Sequence, residues 1–549
     1  MVKTTKYIFV VGGVMSGVGK GVASASIGKI LQSRGLEVTS VKIDPYVNVD
    51  AGTMNPTEHG EVFVLDDGTE CDQDMGNYER FLNRDLSGAN YMTTGSIYKT
   101  VIERERSMGY GGRCVEVVPH IPLEVINRID RAVAKAKADV AITEVGGTVG
   151  EYQNVLFLEA VRMLRVKHPG DVLLVLVSYA PIMNDDNELK TKPTQYAVRS
   201  LNSAGLQPDI VLVRAKYALD AKRKEKIAFN CNVREKDVIS APDVSSLYNV
   251  PINFEKDHIG NLILEKLGLR VRKRDMHDWR RLAARIHNAK QPVKIGIVGK
   301  YFSSGKFVLA DSYISVIEAI KHSAAHWKVR PTIEWLESEQ FEKGGNALRK
   351  LDEYSGIIVP GGLGNRGIEG KLAAIHYCRE RKIPYLGLCY GMQLAVVEFA
   401  RDVLKLHGAN TTEIDPKTKY PVIDILPEQK KLMEEKKYGG TMRLGAYPAV
   451  LKKGTIAQEA YGKTNISERH RHRYEVNPVF IKRLESKGMV FSGQSPDRRL
   501  MEVMELPREK HPFFAGSQFH PELKSRPLDP HPLFREFMRA AAKRKIQQS

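Results

Sequence analysis

The amino-acid sequence predicts an α/β protein of two domains, each a mostly parallel sheet flanked by helices. The chain has 549 residues, which is more than one domain usually holds. Short β-branched runs alternate with amphipathic helical runs in both halves, as in parallel α/β architecture. A charged stretch from Val271 to Pro292 separates the two series. We therefore predict domains at 1–270 and 293–549, joined by a linker at 271–292.

Hydrophobic periodicity gives the expected elements of both series. In the first domain the predicted strands are Tyr7–Val11, Val38–Ile43, Val140–Glu144, Val172–Val177 and Ile210–Val213, and the predicted helices include Val22–Ser33, Pro122–Lys137 and Val155–Arg165. In the second domain we predict strands at Lys294–Val298, Ile357–Val359 and Pro384–Leu388, and a helix at Met392–Ala400.

Composition narrows the class of protein. No apolar run approaches the roughly 20 residues that span a bilayer, and the apolar run at Tyr7–Val11 is too short for a signal peptide, so we expect a cytoplasmic protein. Five cysteines without a C-x-x-C pair argue against disulfides and zinc. The net charge of +18 favours anionic partners. Because no nucleic-acid-binding motif is evident, we expect nucleoside triphosphates rather than nucleic acid.

A glycine-rich loop, Gly12 to Gly21, follows the first strand and precedes a helix. Such a turn presents backbone N–H groups and the positive end of a helix to phosphate, and Lys20 would reach the β and γ oxygens. The loop departs from a strict Walker A motif, because Val14 stands where the first glycine belongs and Gly21 replaces the hydroxyl that binds magnesium. The alternative is a tight turn with a surface lysine.

If the loop lacks that hydroxyl, carboxylates must hold the metal. Asp74, and Glu144 at the end of its strand, are the candidates, although a lone acidic residue is often only solvated. Lys42 lies in an apolar strand and should meet an anion. The segment Lys190 to Gln195 combines lysines, hydroxyls and an amide. It could bind a triphosphate, or it could be a polar loop with a helix N-cap at Thr194.

The second domain carries a cysteine counterpart of the nucleophile elbow, Gly387-Leu388-Cys389-Tyr390-Gly391. Cys389 would stand at a helix N-terminus, which favours the thiolate. His520 could act as its base and Glu522 could orient the imidazole, while the backbone of Val359 to Gly362 suits an oxyanion hole. The alternative is a buried structural cysteine, which Cys378 fits better.

On Pro-Gly-Gly at 360–362, Gly-Leu-Cys-Tyr-Gly-Met-Gln at 387–393 and Gln-Phe-His-Pro-Glu at 518–522, the C-terminal half resembles class I glutamine amidotransferases. The N-terminal half is similar to deviant P-loop NTPases. From about residue 6 to about residue 538 the chain resembles the CTP synthase family. The segments that carry this resemblance are 19–21, 42–50, 52–56, 59–64, 77–81, 146–150, 190–195, 439–445 and 468–477.

The resemblance implies a glutamine-hydrolysing, ATP-dependent ligase. ATP would phosphorylate O4 of UTP, and ammonia released from L-glutamine would displace that phosphate to give CTP. Mg²⁺ is the implied cofactor, GTP the activator and CTP the feedback inhibitor, with a homotetramer and filaments as assemblies. His59 would lie along the path of ammonia.

The resemblance also implies residue roles. The catalytic residues are Cys389, His520 and Glu522, the metal ligands are Asp74 and Glu144, and Lys20 and Lys42 serve phosphoryl transfer. ATP would bind Gly17, Val18, Gly19, Lys20, Gly21, Val22, Asp74, Asp243 and Val244. UTP or CTP would bind Ser16, Glu151, Tyr152, Gln153, Lys190, Thr191, Lys192, Pro193, Thr194, Gln195 and Lys226. Glutamine would bind Gly362, Tyr390, Gly391, Met392, Gln393, Glu413 and Arg473.

Three segments depart from the family pattern. Glu151-Tyr152-Gln153 replaces Asp-Ile-Glu at the CTP contact, Leu363 replaces a phenylalanine near the oxyanion hole, and Pro242 replaces a lysine at the adenine site. Two other functions compete with the family assignment. One is another ATP-dependent amidoligase, such as a cobyrinate-type amidase. The other is a polymerising scaffold or a partitioning-type ATPase, which would leave Cys389, His520 and Glu522 without a purpose.

Overall fold

The computed structural model describes residues 5–13, 15–183, 188–299, 303–304, 307–308, 310–362, 366–425 and 442–548. The chain divides into two units, one of Met1–Ala51 with Asp74–Ala283 and the other of Gly52–Gln73 with Ala284–Ser549. Residues 52–73 therefore belong to the second unit although they come from the first half of the sequence. The predicted functional division at 271–292 stays a prediction.

The first unit is built on a parallel sheet of seven strands, which confirms the predicted α/β class. Its five predicted strands all form, each extended at one or both ends. In sheet order the strands are Tyr91–Thr93, Val38–Asp44, Val140–Val145, Lys6–Gly12, Val172–Tyr179, Ile210–Ala215 and Val238–Pro242.

Helices cover both faces of this sheet, because successive strand side chains point to opposite sides. Phe9 and Val11 contribute to one core and Ile8 and Val10 to the other, and this is why the strands are nearly continuous apolar runs. The helices are Lys20–Ser33, Asp74–Leu82, Thr94–Arg106, Val117–Ala136, Val155–Lys167, Lys192–Ser203, Ala221–Cys231, Val250–Lys256 and Ile259–Leu267. His277–Asn288 forms a further helix within the predicted linker.

The second unit has a sheet of nine strands. The first five strands in sheet order are parallel to one another and include the three predicted ones, and four antiparallel strands that the sequence patterns did not predict extend it. The order is Val329–Glu337, Gln291–Gly299, Gly356–Val359, Tyr385–Leu388, Phe514–Ser517, Met501–Leu506, Val490–Gln494, Arg443–Leu451 and Asn465–His472.

Smaller elements complete the second unit. Its helices are Pro56–His59, Ile314–Trp327, Asn346–Arg349, Ile368–Glu380, Tyr390–Asp402, Ile456–Tyr461, Pro478–Ser486 and Pro532–Gln548. Three further small sheets comprise Ala409–Thr411 with Tyr420–Ile425 and Tyr474–Val476, Phe63–Val64 with Glu70–Cys71, and Ser303–Ser304 with Phe307–Val308. Within the described ranges, no helix combines the length and apolarity that a membrane span requires.

We expect Trp279→Ala to lower the free energy of unfolding of the first unit by about 3–5 kcal/mol, as for other buried aromatic truncations. Trp279 is 1% exposed. Its indole N–H donates to the Tyr248 carbonyl at 2.8 Å, and its ring lies 5.0 Å from that of Phe81. Urea denaturation followed by circular dichroism measures the loss. Phe229→Ala, at a side chain that is 86% exposed in the same unit, is the control and should change stability little; equal losses in both variants would contradict the prediction.

Candidate active sites

The loop after the strand Lys6–Gly12 has the backbone of a phosphate-binding turn. Gly17 and Gly19 have φ angles of 70° and 84°, and Gly19 caps the helix Lys20–Ser33 without a side-chain hydrogen bond to the first turn. The first N–H groups of that helix therefore have no side-chain acceptor at the cap. Lys20 Nζ donates to the Gly147 carbonyl at 2.8 Å. The loop can thus offer amides and an ammonium to one anion.

Gly21 explains the departure from the Walker A pattern. A Cβ atom at this position would overlap the Asp74 carboxylate. The residue that usually supplies a hydroxyl is therefore replaced by a glycine that admits a carboxylate from the helix Asp74–Leu82. Val14, the other departure, lies outside the described residues.

The structure brings the predicted residues Lys42, Asp74 and Glu144 together. Lys42 Nζ donates to Asp74 Oδ2 at 2.6 Å and to Glu144 Oε1 at 3.0 Å, and Asp44 Oδ1 lies 3.6 Å away. The Tyr78 hydroxyl donates to the other oxygen of Glu144. Asp44 and Tyr78 were not predicted. Only their positions, at a strand end and one helical turn after Asp74, could have signalled them.

Burial and Lys42 act in opposite directions on these carboxyl groups. Burial raises the pKa of Glu144 and of Asp44 above its ordinary value, and the ammonium of Lys42 only partly offsets this. For Asp74, burial would also raise the pKa, but Lys42 and Asn77 outweigh it and hold the pKa below its usual range. The ionised form of Asp74 is therefore favoured beside the phosphate loop, where its carboxylate can bind a divalent cation.

The segment Lys190 to Gln195 forms the start of the helix Lys192–Ser203. Thr191 occupies the N-cap position, so the helix begins earlier than the suggested cap at Thr194. Thr194 is buried instead, with its hydroxyl 2.5 Å from that of Ser178, and Lys190 pairs with Glu188. A helix start carrying two lysines can bind an anion.

The remaining nucleotide candidates lie near strand ends or on the surface of the first unit. Glu151 accepts hydrogen bonds from Thr148 N and Oγ1 at 3.1 and 2.9 Å. Arg214, which was not predicted, donates to Asp243 at 2.9 Å and to the Gly17 carbonyl at 3.4 Å. It thereby ties the predicted adenine-site residue to the phosphate loop. The exposed candidates are Ser16, Tyr152, Gln153, Lys226 and Asp243.

In the second unit, Cys389 stands at the predicted sharp turn. It joins the strand Tyr385–Leu388 to the helix Tyr390–Asp402 with φ 50° and ψ −101°, a strained conformation for a residue other than glycine. A Cβ at Gly391 would overlap the carbonyl of Val359. The turn therefore requires glycine at that position. Cys389 therefore caps the N-terminus of this helix, as the sequence pattern predicts.

His520 and Glu522 complete the arrangement. His520 Nδ1 lies 2.7 Å from Glu522 Oε1, and the Cys389 Cβ and His520 ring both border Gly361. Burial alone would lower the pKa of His520, but Glu522 and Cys389 outweigh it and raise the pKa well above its ordinary value. The three side chains can act as nucleophile, proton carrier and orienting carboxylate.

A cavity of about 370 Å³ opens at Cys389 and His520. It is large enough for an amino-acid substrate. Five of the seven predicted glutamine-binding residues line it, namely Gly362, Tyr390, Gln393, Glu413 and Arg473. Met392 is instead buried in the hydrophobic core, and Gly391 acts through the turn. Leu363 and residues 439–441 of a predicted motif lie outside the described residues.

The same cavity is lined by residues that sequence reasoning missed. Asn55, Pro56, Glu61 and Val62 reach it from the segment 52–73, of which only His59 had been given a role. His59 ends the short helix Pro56–His59 and is not among the lining residues. No local pattern in the sequence could indicate that this segment belongs to the second unit.

A buried polar network lies beside the cavity and was also missed. Arg443 Nη1 is 2.8 Å from Glu502 Oε1 and 3.4 Å from Glu475 Oε1, and His470 Nδ1 is 2.9 Å from His472 Nε2. Burial lowers the pKa of both histidines well below its ordinary value, so both are neutral at pH 7. The network connects the strand that carries His470 and His472 to the strands of Arg443 and Glu502.

Comparisons with known proteins cover nearly the whole chain. The family model described as CTP synthase N-terminus matches residues 6–269, and the model described as Glutamine amidotransferase class-I matches residues 308–540. The CTP synthase of Thermococcus gammatolerans is 50% identical over 543 residues, 98% of this chain and 99% of that protein. The CTP synthase of Pyrococcus furiosus is 49% identical over 547 residues, 99% of each chain.

Among solved structures, one described as Trypanosoma brucei CTPS, glutaminase domain with bound acivicin, is 37% identical. It covers 46% of this chain and 94% of that chain, with a TM-score of 0.42.

We expect Gly391→Ala to lower the free energy of unfolding by about 1–3 kcal/mol, the usual cost of overpacking, and to slow alkylation of Cys389 by iodoacetamide. The added methyl would overlap the Val359 carbonyl, so the helix that begins at Tyr390 must shift. Urea denaturation and mass spectrometry of the alkylated thiol measure the two effects. Gly150→Ala, which meets no described atom within 4 Å, is the control. Normal stability and normal alkylation of Gly391→Ala would contradict the prediction.

Proposed function

The chain belongs to the CTP synthase family, and we propose from this premise that it makes CTP by ATP-dependent amination of UTP at C4. The reaction is a step of pyrimidine nucleotide biosynthesis. Ammonia comes from L-glutamine, which the thiol site of the second unit hydrolyses, and it displaces phosphate from a 4-phospho-UTP intermediate. The observation that carries the proposal is the pairing of a phosphate loop in one unit with a Cys389–His520–Glu522 set in the other.

The first unit binds both nucleotides in this proposal. Gly17 to Val22 hold the phosphates of ATP through backbone amides, and Asp243 with Val244 faces the adenosine. Lys20 and Lys42 stabilise the charge of the phosphoryl group in transfer, where positioning supplies much of the rate. The UTP site comprises Ser16, Lys190 to Gln195 and Lys226, and Glu151 to Gln153 contact CTP. Arg214 supports the adenosine side, because it connects Asp243 to Gly17.

Asp74 and Glu144 are the proposed ligands of Mg²⁺. Both place a carboxylate oxygen within 3.0 Å of one ammonium, so their oxygens already converge on a point that favours positive charge. Gly21 leaves room for Asp74 beside the phosphate loop. Hard carboxylate oxygens next to phosphate suit this ion. When bound, Mg²⁺ would neutralise charge on the phosphate oxygens. Asp74 and Glu144 also hold the ammonium of Lys42 in place.

In the thiol site, Cys389 attacks the side-chain amide of glutamine. The imidazolium of His520 donates a proton to the departing ammonia, and Glu522 holds the ring through the hydrogen bond at Nδ1. The backbone N–H groups at Gly361 and Gly362 stabilise the oxyanion. Arg473 pairs with the carboxylate of the substrate, and Glu413 with its amino group. Gln393 is held by its 2.9 Å bond to the Tyr474 carbonyl.

The proposal extends to division of labour, regulation and assembly. Residues 1–270 serve as the synthase domain, 271–292 as the linker and 293–549 as the glutaminase domain, to which the segment 52–73 contributes. GTP activates and CTP inhibits the enzyme. The chain forms a homotetramer that can build filaments, and it works in the cytoplasm. Exposed apolar residues in the first unit support an assembly: Ile102, Met108, Val117, Val118 and Leu123.

The function is tested by CTP formation, followed by absorbance, from UTP, ATP and Mg²⁺ with either glutamine or ammonium. In Cys389→Ala we expect the glutamine-driven rate to fall by at least about 10³-fold, because the nucleophile is gone. The ammonium-driven rate should stay within about twofold, because the first unit is unchanged. Cys378→Ala, at a buried cysteine of the same unit, is the matched control. A wild-type chain that forms no CTP from either nitrogen source would refute the substrate assignment.

The alkaline limit of glutamine hydrolysis should move to lower pH in Glu522→Gln. Burial opposes the charge on His520, and Glu522 with Cys389 keeps its pKa well above its ordinary value. Loss of the Glu522 charge lowers that pKa, so the imidazolium that protonates ammonia is lost at lower pH. The pH dependence of kcat/KM for glutamine measures the shift. Ammonium-driven CTP formation is the internal control, and an unmoved alkaline limb would contradict the assignment.

A further inference from the structure

The segment 52–73 brings carboxylates from the first half of the sequence to the thiol site. Within it, Phe63–Val64 pairs antiparallel with Glu70–Cys71. Phe63, Val64 and Cys71 are completely buried in the second unit. Glu61 and Val62 of the same segment line the cavity. The segment is therefore an integral part of the unit that holds Cys389.

Asp66, in the turn of this hairpin, binds two cations on different elements. Its Oδ1 accepts from Arg469 Nε, and its Oδ2 accepts from Lys524 Nζ at 3.3 Å. Its carbonyl also accepts from Ala446 N at 2.8 Å. Arg469 is 0% exposed, so its guanidinium depends on a counter-charge inside the fold. Burial alone would raise the pKa of Asp66, but the two cations hold it below its usual range, and Asp66 stays ionised at neutral pH.

Glu70 makes a second carboxylate–arginine pair with the same strand, two residues after Arg469. Its Oε1 accepts from Arg471 Nε at 2.8 Å. Arg469 and Arg471 are two residues apart in the strand Asn465–His472, so their side chains leave the same face of that strand. Two ion pairs therefore fix one strand against one hairpin.

The backbone of that strand contacts two of the three residues of the thiol site. The Arg469 carbonyl accepts from His520 N at 2.8 Å. The Arg471 carbonyl lies 3.9 Å from Cys389 Sγ. One strand therefore contacts both the backbone of His520 and the thiol of Cys389.

The second cation of Asp66 reaches the third residue. Lys524 ends the short 3₁₀ helix Pro521–Lys524, and Glu522 lies within this turn. A single carboxylate therefore holds both the strand behind His520 and the turn that presents Glu522.

We propose that Asp66 and Glu70 are positioning residues for glutamine hydrolysis, which fix the backbone on which Cys389, His520 and Glu522 are aligned. Neither carboxylate lines the cavity, so they act through Arg469, Arg471 and Lys524 and not on the substrate. The inference rests on the proposed function of the thiol site. It adds that the first half of the sequence supplies part of the glutaminase machinery.

The test uses Asp66→Asn and Glu70→Gln in the full-length chain, because both changes remove a charge and keep the shape of the side chain. We expect kcat for ammonia release from glutamine to fall about 10- to 100-fold, since small misplacements of reacting groups have effects of this size. KM for glutamine should change by less than about threefold in Asp66→Asn, because neither Asp66 nor its partners Arg469 and Lys524 line the cavity. Asp66→Glu, which keeps the charge, should recover most of kcat.

Asp67→Asn is the matched control. Asp67 is the exposed neighbour of Asp66, and its carboxylate accepts from Thr69 N at 3.3 Å within the hairpin; it should keep wild-type kcat. Ammonium-driven CTP formation should stay unchanged in every variant. The inference is overturned if Asp66→Asn and Glu70→Gln keep wild-type kcat for glutamine hydrolysis. It is also overturned if ammonium-driven CTP synthesis falls as much as that kcat does. A wild-type chain that releases no ammonia from glutamine would instead overturn the proposed function, and this inference with it.

Discussion

Beside both candidate sites, a buried cation is compensated by carboxylates from distant parts of the sequence. Lys42, on a strand, meets Asp74 and Glu144, which come 32 and 102 residues later. In the second unit, Arg469 meets Asp66 from 403 residues earlier. An ionised group costs several kcal/mol to bury unless its partner is in place. Each pair therefore links the geometry of a site to the correct assembly of several elements.

The two sites use this constraint in different ways. Around Lys42 the carboxylates outnumber the ammonium, and burial raises the pKa of Glu144 while Lys42 keeps Asp74 ionised. A further cation, either free or bound to a phosphate, would balance the excess negative charge of this cluster. Around Cys389 the charges instead balance within the protein, because Glu522 and Cys389 raise the pKa of His520 and favour the imidazolium beside the Glu522 carboxylate. The first cluster thus carries an excess of carboxylates, whereas in the second the imidazole and its carboxylate are paired with each other.

The sequence predicts those features of the two sites that depend on neighbouring residues, and it misses those that depend on contacts between distant residues. The turn at Cys389 is a constraint on the local backbone. The glycine that it requires at position 391 belongs to the same five-residue motif as Cys389, so the sequence alone predicts it. Asp74 and Glu144 could be predicted one at a time, because acidic residues at element ends are locally conspicuous. Their convergence on Lys42, the Tyr78 bond to Glu144 and the Arg214 bond to Asp243 follow only from the way the strands and helices pack together. The antiparallel strands beyond Phe514–Ser517 carry charged residues such as Arg469, which obscured their periodicity.

The segment 52–73 shows why the sequence boundary and the structural boundary need not agree. No local pattern marks it, because its decisive contacts are with Arg469, Arg471 and Lys524, which are 401 to 458 residues away. If the second unit were built from the C-terminal half alone, the completely buried Arg469 would lack the carboxylate of Asp66, and the strand behind His520 would lose a fixed position. The strand behind His520 is therefore fixed by contacts with the segment 52–73 of the same unit.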